Sequence, residues 1–180
     1  GLHPEAHLPP ARPGAKDRTL FIASSHSGNT EETLDFAERA LEHGYHVACI
    51  ATGGKLIEFA RENGLPYIQM PDTGIQPRTA VGFSLVALCK LARPEVIDEL
   101  RPLAASLDPT AFKSEGEEIA ETLRDHLPFI YSSTANVAIA YNWKIKFNET
   151  GKTPSAYNVF PELNHNEMQG FDWVEANRSV

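Results

Sequence analysis

Residues 19–34, TLFIASSHSGNTEETL, constrain this chain more than any other stretch. Leu20, Phe21, Ile22 and Ala23 form a short, unbroken apolar run, the pattern of a parallel strand buried on both faces. A polar turn follows at once, Ser24-Ser25-His26-Ser27-Gly28-Asn29-Thr30. Beyond it, Leu34, Ala37 and Leu41 recur at helical spacing. A strand that runs into a hydroxyl-rich turn and then opens a helix is ready to hold an anion. The helix start offers unpaired N–H groups and a partial positive charge, and the hydroxyls add donors. Gly28 permits a positive φ or a close backbone approach.

The same residues also suit an ordinary helix cap, with Asn29 or Thr30 at the N-cap. A full capping box from Thr30 needs an acid or amide three residues on, where Thr33 stands; Asn29 with Glu32 gives a loose variant. Glu31 and Glu32 suit the helix dipole but would repel a phosphate set too close. There is no Gly-x-Gly-x-x-Gly and no Gly-Lys-Ser/Thr, so neither a dinucleotide nor a P-loop site is indicated.

Alternating strands and helices follow. Residues 46–51 (HVACIA) predict a second buried strand, residues 55–63 a short helix ended by Gly64, and residues 66–70 (PYIQM) a third strand. This spacing indicates βαβ units, a parallel sheet and an α/β fold. Right-handed crossovers would bring the loops after the strands to one edge, where open sheets bind ligands. Arg78 ends the loop 71–78 and opens an apolar helix over 79–91. Its charge opposes the helix dipole there, which favours a functional reason over a merely solvated arginine.

Arg93-Pro94 breaks that helix, and residues 95–107 predict another, interrupted at Pro102. Asp108-Pro109-Thr110 caps a longer helix running to His126, with Ile119 and Leu123 on one face. Glu115, Glu117 and Glu118 read as a solvated face. A second unit begins near Pro128: strand 129–131, hydroxylated turn Ser132-Ser133-Thr134, helix 136–149. It echoes the opening stretch too loosely to be a sequence repeat. The expected organisation is a first α/β domain over 1–91, a helical connector over 92–127, and the start of a second domain over 128–180.

With a net charge of −8, the chain is a poor candidate for a nucleic-acid surface. Cys49 and Cys89 lie in apolar segments and read as buried thiols, not a disulfide or metal pair. No stretch is long enough for a membrane span and no signal peptide is evident, so the sequons at Asn148 and Asn177 carry no weight and the cytoplasm is the expected compartment. The chain opens with Gly1 and a Pro-rich, unpatterned stretch through residue 17, which reads as the middle of a longer protein.

Two further places hold candidate chemistry. Glu149 ends the second unit's helix, where an acid opposes the dipole, although a surface glutamate is the commoner explanation. Residues 161–167, PELNHNE, form an unusual polar loop in which His165 is either a proton shuttle or a histidine packed in a turn. His165 and Glu167 alone make a poor metal site, with no second histidine nearby and no His-Glu-x-x-His.

Ser25-His26-Ser27-Gly28-Asn29-Thr30-Glu31-Glu32-Thr33 resembles the phosphosugar-binding loop of sugar isomerase (SIS) domains. Gln76-Pro77-Arg78, Asn148-Glu149 and the loop 161–167 narrow the resemblance to the bifunctional phosphoglucose/phosphomannose isomerases. It runs from about residue 18 to 171, with the motifs in family order. It implies three-layer, flavodoxin-like SIS units with a parallel sheet, here one partial unit and the start of a second. It further implies that Ser25, Ser27 and Thr30 hold the phosphate of a sugar phosphate. Glu149 would be the base that moves a proton between C1 and C2. Arg78 would steady the developing negative charge, and His165 would assist ring opening, entering the neighbouring subunit's site in a homodimer. No metal or organic cofactor is implied.

The chemistry explains the residue types. Aldose–ketose interconversion needs a carboxylate to shuttle a carbon-bound proton, positive charge beside the enediolate, and a grip on the remote phosphate. The closest rivals are another SIS isomerase, such as one acting on arabinose 5-phosphate, and a non-catalytic sugar-phosphate-binding module. His26 stands where relatives often carry an aromatic ring. The family's upstream glycine-rich strand end and its downstream catalytic lysine are not in these residues, so the expectation is a central part of an isomerase. The 180 residues alone should show little or no turnover. Formation of fructose 6-phosphate at an ordinary rate by this stretch alone would contradict that.

Overall fold

The computed structural model describes residues 14 and 16–171. The Pro-rich opening through residue 13 and the sequon at Asn177 lie outside the described residues. The chain divides between Ser106 and Leu107 into two compact units.

The first unit runs β1 (Leu20–Ser24), α1 (Glu31–Glu42), β2 (His46–Ala51), α2 (Gly54–Glu62), β3 (Tyr67–Gln69), α3 (Val81–Ala92) and α4 (Ile97–Ser106). The strands form one parallel sheet in the order β1-β2-β3, with Leu20 opposite His46 and Cys49 opposite Tyr67. β2 is central and buried over residues 47–51. Its period-two alternation splits the core. Val47, Cys49 and Ala51 pack with Ala37, Ala40, Leu56, Ile57 and Ala60 of α1 and α2. On the other face Ile50 packs with Met70 and Ala87, flanked by Ile22, Ile68, Phe83 and Leu91. The unit is therefore three layers, helix–sheet–helix. Complete burial of Ile50, Leu56 and Ile57 contributes about 1.5–3 kcal/mol each.

Several expectations are corrected. β1 is not buried on both faces: Leu20 is 45% exposed, and Phe21 and Ile22 are half-buried. Among the described residues it pairs only with β2, so its side chains lack neighbours from a strand beyond it. α3 starts at Val81, two residues later than the pattern indicates, because Pro77–Thr79 form a separate 3-10 turn. Pro102 does not interrupt α4 but lies inside it. The proline forgoes a bond to the Asp98 carbonyl, and Asp98 is exposed, so water can serve that oxygen.

The second unit contains α5 (Lys113–Thr122), β4 (Phe129–Ser133), α6 (Val137–Glu149) and β5 (Ala156–Phe160). Asp108 caps the 3-10 turn before α5, accepting from the Thr110 N–H at 3.0 Å and hydroxyl at 2.6 Å. α5 stops at Thr122, short of the expected His126, because the chain turns and Asp125 takes a φ of +62°. Ser132 and Ser133 belong to β4 rather than to a turn. β5 has no counterpart among the sequence expectations, although Ala156 to Phe160 carry the aromatic and β-branched content of a strand. It pairs with β4 in parallel, Phe129 opposite Ala156 through Ser133 opposite Phe160. α6 covers the face that carries Tyr157, whose ring meets Tyr141 at 5.4 Å. The chain after β5 folds over the opposite face, where Phe171 meets Phe129 at 6.0 Å.

No described helix is long and apolar enough to cross a membrane. Cys49 is fully buried, and burial alone pushes its thiol from 9.0 up to about 11. The raised folded-state pKa favours the neutral thiol. That contribution to stability is complete below about pH 9 and is lost as pH climbs towards 11. Cys89, expected to be buried, is only half-buried, so native thiol titration at pH 8 should label it while Cys49 reacts only on unfolding. Equal labelling of both in native buffer would overturn this packing.

Candidate functional site

The loop between β1 and α1 is built from hydrogen bonds that the sequence leaves ambiguous. Thr30 is the N-cap of α1 by backbone, φ −70° and ψ 116°, but its side chain does not cap the helix. Its hydroxyl instead pairs with that of Ser25 at 2.8 Å. Ser25 is 7% exposed, the one buried polar side chain among the described residues, and its oxygen also accepts the Gly28 N–H at 3.1 Å. Ser27 is exposed and accepts the Asn29 N–H at 3.2 Å, which leaves its hydroxyl hydrogen free to donate elsewhere. Ser25, Ser27 and Thr30 thus gather on one turn at the carboxyl end of β1. That is the edge where an open parallel sheet binds ligands.

A second loop props this one from behind. The Thr52 N–H and hydroxyl both donate to the His26 carbonyl, at 2.9 and 2.8 Å. The Asn29 side chain accepts the Lys55 N–H at 3.2 Å, and the Gly28 carbonyl accepts the Leu56 N–H at 2.9 Å. Two orphan donors at the start of α2 are thereby satisfied from α1's loop. Gln69, at the end of β3, donates to the Thr52 carbonyl at 3.0 Å. Gly28 has φ +75°, and a Cβ there would lie 1.9 Å from the Gly53 carbonyl oxygen. Gly54, φ +69°, would place a Cβ 2.7 Å from the Asn29 side-chain oxygen. The close approach that Gly28 permits is to this neighbouring backbone. The Nδ1 of His26 is buried and makes no hydrogen bond.

Arg78 follows β3 and is half-buried in the 3-10 turn Pro77–Thr79. The Thr79 hydroxyl donates to the Gln76 carbonyl at 2.7 Å and tightens that turn.

In the second unit Glu149 is exposed and closes α6. The preceding Asn148 accepts from the Ser155 hydroxyl at 2.7 Å, which fixes the helix end beside the start of β5. His165, exposed, ends the 3-10 turn Glu162–His165 that follows β5. Glu149 and His165 therefore enter from opposite ends of the β4–β5 sheet. Glu167, which the sequence offered only as a weak metal ligand beside His165, has its carboxylate held by Tyr131 and Asn158. That contact depends on the pairing register of β4 and β5, which the sequence does not give. Among the described residues no three His, Cys, Asp or Glu side chains are grouped to hold a metal ion.

The architecture is that of the SIS fold. The structure is similar to the C-terminal domain of glucosamine-fructose-6-phosphate aminotransferase from Francisella tularensis, with a TM-score of 0.62 at 20% identity over 85% of this chain and 48% of that one. Residues 112–179 match the bacterial phospho-glucose isomerase C-terminal SIS domain. The chain is 37% identical to a bifunctional phosphoglucose/phosphomannose isomerase of Aquifex aeolicus, over 84% of its own residues and 48% of the relative's. It is 41% identical to the one from Caldicellulosiruptor bescii, over 85% of this chain and 49% of the relative. Over most of its own length the chain is thus similar to bifunctional phosphoglucose/phosphomannose isomerases, and its last third matches an SIS-domain model. It spans about half the length of the curated relatives it matches.

Gly28→Ala drives a methyl group into the Gly53 carbonyl and strains a left-handed backbone. It should lower stability by at least about 2 kcal/mol. An unchanged denaturant midpoint would show that the two loops do not lock together.

Proposed function

We propose that the protein interconverts glucose 6-phosphate, mannose 6-phosphate or both with fructose 6-phosphate through a cis-enediol(ate). Support comes first from the hydroxyl loop, in which Ser25, Ser27 and Thr30 meet on one propped turn. Relatives named for this activity are 37–41% identical to the chain. In this assignment those three residues hold the phosphate, remote from the reacting carbons, and orient the sugar. Glu149 removes the C2 or C1 proton and returns it to the neighbouring carbon. Arg78 balances charge on the enediolate oxygen. His165 moves the proton of the ring oxygen. Glucose and mannose 6-phosphates differ only at C2 and share one enediol, so one site serves both. Proton transfer of this kind calls for no metal or organic cofactor.

The proposal extends to organisation. Residues through 91 are assigned to a first SIS domain, 92–127 to a helical connector and those from 128 to a second, the boundary between Ser106 and Leu107 falling within the connector. The working form is a cytoplasmic homodimer whose ligand is a sugar phosphate, not a nucleic acid or a membrane. Entry of Glu149 and His165 from opposite ends of the β4–β5 sheet suits a histidine that serves a second subunit's site.

The test is Glu149→Gln in the intact protein. It should cut kcat about 10²–10⁴-fold with KM for the sugar phosphate little changed. Full activity of that variant would remove Glu149 from the role of base, whereas wild-type protein that binds the sugar phosphate without turning it over would favour a non-catalytic sugar-phosphate-binding module. A wild-type protein that is active only on another phosphosugar would place it elsewhere among the SIS isomerases.

A further inference from the structure

The turn that carries His165 is fastened on both sides of the histidine. Before it, Leu163 is fully buried. After it, the half-buried Glu167 accepts a hydrogen bond from the Tyr131 hydroxyl at 2.7 Å on one carboxylate oxygen, and from the Asn158 amide on the other. Tyr131 and Asn158 stand opposite each other in the β4–β5 register, so both project from the same sheet face. One carboxylate therefore ties the two strands together and anchors the turn to them. His165, two residues away, remains exposed.

The chemistry of the clamp selects a carboxylate. Tyr131 and Asn158 are both donors, and an ionised carboxyl group offers each an acceptor oxygen. A glutamine has one acceptor oxygen in place of two, so it keeps one of these bonds and holds the other only if the Tyr131 phenol turns from donor to acceptor. Burial, the hydrogen bond and the charge of Glu167 together push the Tyr131 phenol up to about 12, so it remains a donor at any neutral or mildly alkaline pH. The carboxylate is drawn inward from an otherwise exposed turn, whereas the neighbouring Glu162, Asn164 and Asn166 stay at the surface.

We propose that Glu167 is the positioning residue for His165, with Tyr131 and Asn158 as the strand-borne groups that hold it. This rests on the role given above to His165 in proton transfer at the sugar ring. Glu167 does not touch the substrate in this assignment. It fixes the distance and direction from which the imidazole reaches out.

The experiment is a double-mutant cycle in the intact protein with glucose 6-phosphate as substrate, using Glu167→Gln, His165→Asn and the pair. Glu167→Gln should lower kcat about tenfold or more, as loss of a supporting hydrogen-bond partner commonly does, with KM within about twofold. The loss should vanish in the His165→Asn background, because there is then no imidazole to position. Tyr131→Phe, which removes one donor and leaves the carboxylate, should show the same coupling to His165 with a smaller loss, and serves if Glu167→Gln fails to fold. Undiminished kcat in both Glu167→Gln and Tyr131→Phe, beside a disabled His165→Asn, would overturn the proposal alone. A loss that persists in full without the imidazole would also overturn it, since the clamp would then act only on overall stability. If the wild-type protein does not turn over glucose 6-phosphate, the isomerase assignment falls and the positioning role with it; if His165→Asn is fully active, the positioning role falls alone.

Discussion

Gly28 and Gly53 meet with no room for a methyl group between them, and the shape of the hydroxyl loop depends on that closeness. The loops after β1 and β2 lie back to back, joined by the Thr52–His26, Lys55–Asn29 and Leu56–Gly28 hydrogen bonds. Their shared base is β2, the central strand, which carries core on both faces. Rigidity thus passes from packed apolar layers, through backbone contacts, to Ser25, Ser27 and Thr30. A site that must orient a ligand gains from such support, because small displacements of the binding groups sharply reduce the benefit of orientation.

The second unit holds its polar turn by other means. Leu163 is buried and Glu167 reaches across two strands, so side chains do there what backbone does in the first unit. The two units repeat the same progression from strand to helix to parallel strand, yet the details diverge at the strand ends. Ser25 turns inward to tie its own loop, whereas Ser132 and Ser133 continue a strand, and Thr134 bridges to the Phe160 carbonyl at 2.8 Å. The likeness between the units is one of topology and not of local chemistry.

What the sequence showed and what it hid follow from range. β2 and α1 were legible because continuous apolar runs and 3.6-residue spacing are local signals. The hydroxyl loop was legible as a candidate, but not the partner that Thr30 would choose, since that depends on where Ser25 sits after folding. Gly28 declared its freedom without saying that Gly53 would fill the space. Pro102 misled because a proline breaks a helix only when its neighbours cannot absorb the lost bond, and an exposed Asp98 can. β5 went unseen beside the more conspicuous polar residues that follow it. Glu149 and His165 were noticed because of their chemistry, and neither position could be inferred from apolar pattern.

The bond between the Ser25 and Thr30 hydroxyls has one more consequence. One hydroxyl donates to the other and either oxygen can be the donor, so this bond uses only one of the two hydroxyl hydrogens. In the assignment proposed above, the phosphate can accept the remaining hydrogen while the two oxygens stay together, so the turn keeps one shape through binding and release.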